Sequence, residues 1–178
     1  MAYTGIGVLA LKKKWIKVLQ PMAWWGGTIK HVDTKWYTST NNYQKFELWT
    51  PNLIWAVSLA YAIDYINKIW WYKEIRSHEQ ELIKYTISKF RKYTNIQLLW
   101  TMDDAHRVGS FSFCIKDIPN FNIVWEHFAN HNICVRCGWH CAHPLHHHTW
   151  IQWTCRMSLY IYNTIEDIDK FFEVLELL

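Results

Sequence analysis

Glycine is scarce in this chain. Its 178 residues include 6 glycines, where average usage of ~7 % gives about 12. Proline is rare as well, at 4, and no Pro/Gly/Ser-rich linker, repeat or low-complexity tract appears. Collagen-like and linker-dominated chains are thereby excluded. No apolar run approaches the ~18 uncharged residues of a membrane span. Neither charge sign dominates. Lys and Arg number 19 against 15 for Asp and Glu, a net charge of +4, and the excess is spread along the chain. Nucleic acid is not implied as a partner. A secretory leader is missing too: the apolar residues 5–11 precede the basic residues 12–14, the reverse of a signal peptide. These absences point to a cytoplasmic protein with no membrane and no nucleic-acid partner.

Apolar residues make up 51 % and charged ones 19 %, enough for a chain of this length to bury roughly 70 % of its unfolded surface. Residues 5–11 read as a short buried strand and residues 12–19 as a short helix stopped by Pro21. Residues 26–45 are polar and read as a long loop. Thr50-Pro51 is a helix start, with Thr50 as cap and Pro51 at the first helical position. Apolar residues at Ile54, Val57, Tyr61, Tyr65 and Ile69 then keep helical period. A second helix is predicted over residues 72–93, strands over 96–99 and 110–115, a helix over 122–130, and strands over 133–136 and 156–162. In Phe111-Ser-Phe-Cys-Ile115 the odd positions are apolar and predict one buried face. Thr164-Ile-Glu-Asp167 is a capping box opening a last amphipathic helix to residue 178. This element order predicts an α/β protein whose smaller, α+β part is a small sheet covered by helices.

Chemistry concentrates in residues 134–148, which hold three cysteines and five histidines. Cys134-x2-Cys137 with His140, Cys141 and His143 resembles a zinc site in spacing, and a zinc-binding interaction module is one reading. Against it, Cys134 and Cys137 straddle a strand-like run whose side chains alternate faces. In the plainest reading Cys114, Cys134 and Cys155 are small core residues and the histidine run is a solvated loop. In the third, Cys141 is a nucleophile on a turn-rich segment between Gly138 and Pro144, with His140 and Arg136 near enough to favour a thiolate.

Longer motifs decide among these readings. Arg136-Cys-Gly-Trp-His-Cys141-Ala-His-Pro-Leu145, Thr154-Cys-Arg156-Met-Ser and Tyr162-Asn-Thr-Ile-Glu-Asp-Ile-Asp169 resemble, in order, the C-terminal segment of group II (SufS-like) cysteine desulfurases. These are class V aminotransferase-like, PLP-dependent enzymes of fold type I. Upstream, Thr4-Gly-Ile-Gly-Val8 resembles the family's strand after its PLP lysine. Lys45-Phe-Glu-Leu-Trp-Thr-Pro-Asn52 resembles its phosphate-binding turn, Phe-Glu-x-Gly-Thr-Pro-Asn, and Ala62-Ile-Asp-Tyr-Ile66 the helix that follows.

The resemblance implies removal of sulfur from L-cysteine, giving L-alanine and a persulfide on Cys141 that is passed to a sulfur-acceptor protein for iron–sulfur cluster assembly. A selenocysteine lyase, or another class V aminotransferase-like enzyme, is the close variant. It implies pyridoxal 5'-phosphate as cofactor and no metal. Cys141 and His140 take the catalytic positions, Arg156 and Arg136 the substrate-binding ones, and Thr50 a cofactor-binding one that serves the other subunit of a homodimer. Residues 1–67 are expected to be the tail of the large PLP-binding domain, and residues 68–178 the C-terminal small domain. The Schiff-base lysine should stand just before Met1, so the chain alone is expected to lack it and to be inactive.

The missing glycines and the 13 tryptophans coincide. Trp49, Trp55, Trp70, Trp100, Trp150, Trp153 and one of Trp24 and Trp25 stand where the family pattern has glycine. A phosphate turn or a helix end needs glycine for close backbone approach or positive φ. The coincidence predicts that these positions are UGA codons read as glycine in the cell. The alternative is that the tryptophans are genuine and the site degenerate.

Overall fold

The computed structural model describes residues 2–48, 50–69 and 72–178. The chain forms two compact units, residues 1–69 and 70–178. Among the described residues no helix is long and apolar enough to cross a membrane.

The first unit holds helix α1 (Lys13–Val18), strands β1 (Ile29–Val32) and β2 (Tyr37–Ser39), and helix α2 (Leu53–Ile69). Among the described residues its sheet is the antiparallel β1–β2 hairpin. Three expectations are corrected here. Residues 5–11 are not a strand: Thr4 and Gly5 turn the chain, with Gly5 at φ +96°, and Val8 and Leu9 stay about three-quarters exposed. An apolar run becomes a strand only with a neighbour to complete its ladder. Residues 26–45 are not a loop but carry the hairpin, whose polar faces hid its alternation. Helix α2 starts later than Thr50-Pro51 predicts. Asn52 caps it, its side chain accepting from Trp55 N–H at 3.2 Å and its carbonyl from Ala56 N–H at 3.1 Å.

The second unit runs α3 (Tyr72–Phe90), β3 (Ile96–Leu98), β4 (Ser110–Ile115), α4 (Phe121–Asn130), β5 (Arg136–Gly138), α5 (His143–Thr149), β6 (Thr154–Ser158) and α6 (Ile165–Leu175). The sheet order is β3-β4-β6-β5, antiparallel throughout. The expected α/β class and small helix-covered sheet are present. Odd-numbered residues of β4 and β6 face the helices: Phe111, Phe113 and Cys155 are fully buried, Ile115 and Met157 nearly so. Phe128 of α4 stacks on Phe171 of α6 at 4.7 Å, and Phe90 of α3 meets Phe172 edge-on at 4.9 Å. Such pairs add about 0.5–1.5 kcal/mol each beyond area burial.

Boundaries differ in the second unit too. The strand predicted over 133–136 lies at Arg136–Gly138, and the one over 156–162 at Thr154–Ser158. The histidine run is not a solvated loop but helix α5, with His146 almost fully buried. Of the three cysteines expected in the core, only Cys155 is buried; Cys114 is half-buried and Cys134 exposed. The capping box is as expected. Thr164 Oγ1 accepts from Asp167 N–H at 3.4 Å while Asp167 accepts from Thr164 N–H at 3.0 Å. Thr164→Ala is expected to lower stability by about 1 kcal/mol, read as a lower urea midpoint at unchanged slope; an unchanged midpoint would show that the cap contributes nothing.

Among the described residues two tryptophans occupy the left-handed region: Trp100 at φ +73° and Trp150 at φ +57°. Trp150 is the C-terminal cap residue of α5, its N–H bonded to His146 C=O. Both are largely exposed, so no packing compensates for their backbone. Trp24, Trp25, Trp55 and Trp153 do not share that conformation, and Trp153 is buried against Phe121. Trp49 and Trp70 lie outside the described residues.

Candidate functional site

The sheet face away from the helices carries the even-numbered residues. Ser112 of β4, Arg156 of β6 and Arg136 of β5 stand in one row, since Ser112 and Arg136 are both register partners of Arg156. Directly paired residues on antiparallel strands share a face, so the two arginine side chains leave the same side of the sheet. Neither forms an ion pair among the described residues. Like charges placed opposite each other destabilise a sheet. A row of this kind is suited to an anion that neither strand supplies.

Over this row opens a cavity of about 400 Å³, walled by Trp100, Arg107, Ser112, His140, His146 and Arg156 among others. Two buried polar atoms in it lack partners among the described residues: Arg156 Nε and His140 Nδ1. A buried donor left unpaired costs about 1–3 kcal/mol, so the Nε–H calls for an acceptor from outside. His140 Nε2 sits 3.1 Å from Thr154 C=O. That contact requires the proton on Nε2 and leaves Nδ1 as an acceptor. Burial lowers the His140 pKa; the hydrogen bond to the Thr154 carbonyl opposes that shift, and the field of Arg156, Arg136 and His146 adds to it. The ring is therefore neutral near pH 7.

Cys141 is presented by a tight turn. Ala142 N–H bonds Trp139 C=O at 2.8 Å, and both central residues, His140 and Cys141, have positive φ, +50° and +59°. That is the φ pattern of a type I′ turn. Two side-chain-bearing residues in this region cost of order 1–3 kcal/mol each, and such strain clusters at functional sites. Gly138 at φ +116° starts the bend. The turn is pinned from behind, where the Trp139 ring stacks on His143 at 4.7 Å and meets His146 edge-on at 5.4 Å. Cys141 itself is exposed, while the residues on either side of it, His140 and Ala142, both line the cavity.

The structure thus brings Arg156, Arg136, His140 and the Cys141 turn to one side of the sheet in the second unit. Thr50 lies in the first unit, exposed, on a bend ahead of α2. Among the described residues no three His, Cys, Asp or Glu side chains are grouped to hold a metal ion.

One wall residue was not legible in the sequence. Arg107, almost fully buried, donates to the carbonyls of Thr101, Ser110 and Leu99, with its guanidinium over the Phe111 ring. It braces the segment between β3 and β4 that forms one side of the cavity. Nothing in its polar neighbourhood, Asp103-Asp-Ala-His106, distinguishes it from a surface arginine.

Residues 1–171 match the family described as aminotransferase class-V. A probable cysteine desulfurase of Pyrococcus abyssi is 35 % identical over 99 % of this chain and 43 % of its own length. One from Staphylococcus epidermidis is 32 % identical over 97 % of the chain and 41 % of its own length. Among solved structures, an apo cysteine desulfurase from Thermococcus onnurineus superposes with a TM-score of 0.90 at 31 % identity, covering 99 % of this chain and 43 % of that one. A cysteine desulfurase from Escherichia coli has a TM-score of 0.84 at 23 % identity, a likeness of fold. The chain spans about two-fifths of the length of these relatives. With the family match running from the first unit into α6, the chain belongs to the class-V aminotransferase family.

Proposed function

We propose that this chain is the C-terminal part of a SufS-like cysteine desulfurase, taking sulfur from L-cysteine as a persulfide on Cys141 and leaving L-alanine. The observation that carries the reading is the unpartnered Arg156 Nε in the cavity walled by the neighbours of Cys141, with Arg136 its register partner on the adjoining strand. A guanidinium fork matches a carboxylate in bidentate geometry, so Arg156 holds the amino acid and Arg136 adds field from the adjoining strand. Cys141, as thiolate, attacks the substrate sulfur. The S–S bond forms as the carbon–sulfur bond breaks, and the substrate carbon gains a proton to become alanine. We assign the thiol proton to His140, whose Nδ1 has no other partner among the described residues.

Pyridoxal phosphate, when bound, supplies the electron sink for that bond cleavage. The fit of this chain to it is partial. Thr50 offers a hydroxyl beside the N-terminal turn of α2, whose free N–H groups favour a phosphate, and it would serve the second subunit of a homodimer. The Schiff-base lysine is proposed to come from sequence outside this chain. The persulfide, on an exposed turn, is then open to a sulfur-acceptor protein serving iron–sulfur assembly in the cytoplasm.

The test is Arg156→Lys in the complete enzyme. A lysine keeps the charge and loses the fork, so KM for L-cysteine is expected to rise and kcat/KM to fall about tenfold, with the cofactor absorbance unchanged. An unaltered KM would remove Arg156 from substrate binding.

A further inference from the structure

Cys137 and Cys155 are register partners on β5 and β6. The hydrogen bonding of the sheet defines the kind of pair they make. Ser112 C=O is bonded by Leu99 N–H, on the β3 side, whereas Leu159 N–H bonds Gly109 C=O across the β4–β6 seam. Even residues of β4 thus bond toward β3 and odd ones toward β6. It follows that odd residues of β6 bond toward β4, and Cys155 makes no ladder bond toward β5. Cys137 and Cys155 are therefore a non-hydrogen-bonded pair, the narrow kind, with Cα atoms about 4.5 Å apart and side chains on one face. That separation falls inside the range spanned by disulfides, roughly 4.4–6.8 Å.

The two thiols are unlike each other. Cys155 is fully buried and Cys137 is half-buried at the margin of the core. The facing thiol of Cys155 lowers the pKa of Cys137 below the usual cysteine range. The same pairing, with burial, raises that of Cys155. One sulfur is the more reachable and the more readily ionised and the other is sheltered, the division of labour of an attacking and a resolving cysteine. Strand β5 is a three-residue edge strand paired to β6 alone. Its last residue precedes the Cys141 turn.

We propose that Cys137 and Cys155 are a redox modification site, joined by a peroxide into a reversible cross-strand disulfide that clamps the edge strand leading into the Cys141 turn. In the first step the Cys137 thiolate attacks a peroxide oxygen and becomes a sulfenic acid, the second oxygen leaving as water after protonation. The Cys155 sulfur then attacks the sulfenic sulfur, and its proton leaves with the hydroxyl as a second water. Two thiols lose two electrons and the peroxide gains them.

The test uses the chain itself and its Cys141→Ser variant, the latter removing the exposed competing thiol. Each is treated with hydrogen peroxide, alkylated under denaturing conditions and mapped by mass spectrometry. The expected result is one cross-linked peptide pair containing Cys137 and Cys155 in both proteins. In the variant, two alkylatable thiols per chain are lost and then recovered with dithiothreitol. In Cys137→Ser, Cys155 stays alkylatable. The proposal fails if both cysteines of the unsubstituted chain remain alkylatable after oxidation. It also fails if they end separately as sulfinic or sulfonic acids, or if either pairs with Cys114, Cys134 or Cys141. The map of the unsubstituted chain decides the matter even where a variant folds poorly.

Discussion

Cys141→Ala in the complete enzyme is expected to lower sulfide release from L-cysteine at least ~10³-fold while the cofactor absorbance persists, as for removal of an attacking nucleophile. The expectation follows from the turn. With His140 and Cys141 both at positive φ, the thiol is carried outward, and Ala142 N–H on Trp139 C=O closes the bend behind it. Alanine tolerates the same φ no worse than cysteine, since both carry a single Cβ substituent there, so the loss reports chemistry and not folding. Cys134 supplies the control. It is the other exposed cysteine of the segment, it lies outside the cavity wall, and Cys134→Ala should leave the rate within about twofold, as surface substitutions away from a site do. If Cys141→Ala retained its rate and Cys134→Ala lost it, the nucleophile would have to be reassigned.

The parts of the fold that were legible in the sequence are those whose cause is local. The α6 capping box needs four residues, Thr164 to Asp167, and it closes as its spacing requires. The alternation of Phe111, Phe113 and Ile115 placed β4 to the residue, because one face of that strand is a wall of the core. Elements decided by distant partners were less legible. Residues 5–11 have the composition of a strand without the neighbour that would make them one. β5 was expected at the more apolar residues 133–136, but its position is set by register against β6, where Arg136 meets Arg156 and Cys137 meets Cys155. The histidines of α5 give no apolar stripe, and that helix is held by Trp139 stacking and by His146 Nδ1 on Ile151 C=O at 2.9 Å. Arg136, His140, Cys141 and Arg156 were legible as a motif; His140 and Arg156 line one cavity, Arg136 joins Arg156 by register, and Cys141 stands between the lining residues His140 and Ala142. Arg107 was not, since its partners are backbone carbonyls that no side-chain pattern announces.

The combined change Trp100→Gly with Trp150→Gly is expected to stabilise the chain by about 2 kcal/mol. A side chain in the left-handed region costs of order 1–2 kcal/mol, and glycine returns part of that through its greater unfolded-state freedom. A net gain near 1 kcal/mol per site remains. Neither indole offsets the strain, since Trp150 is 91 % exposed and Trp100 79 % exposed. Trp150 caps α5 at the position where helices most often end on glycine. Trp153 is the internal control: it is buried against Phe121 without positive φ, and Trp153→Gly should destabilise by about 3–5 kcal/mol, as for loss of a large core side chain. Urea unfolding of the three proteins, the parent chain, the double glycine variant and Trp153→Gly, reads both signs. A lower midpoint for the double glycine variant would mean that the tryptophans are accommodated. The same geometry bears on what the cell makes. If UGA is read there as glycine, tryptic peptides of the native protein will carry glycine at positions 100 and 150, and the gene will show UGA at both. UGG at either would leave a tryptophan in a left-handed turn and the family's glycine pattern broken by substitution.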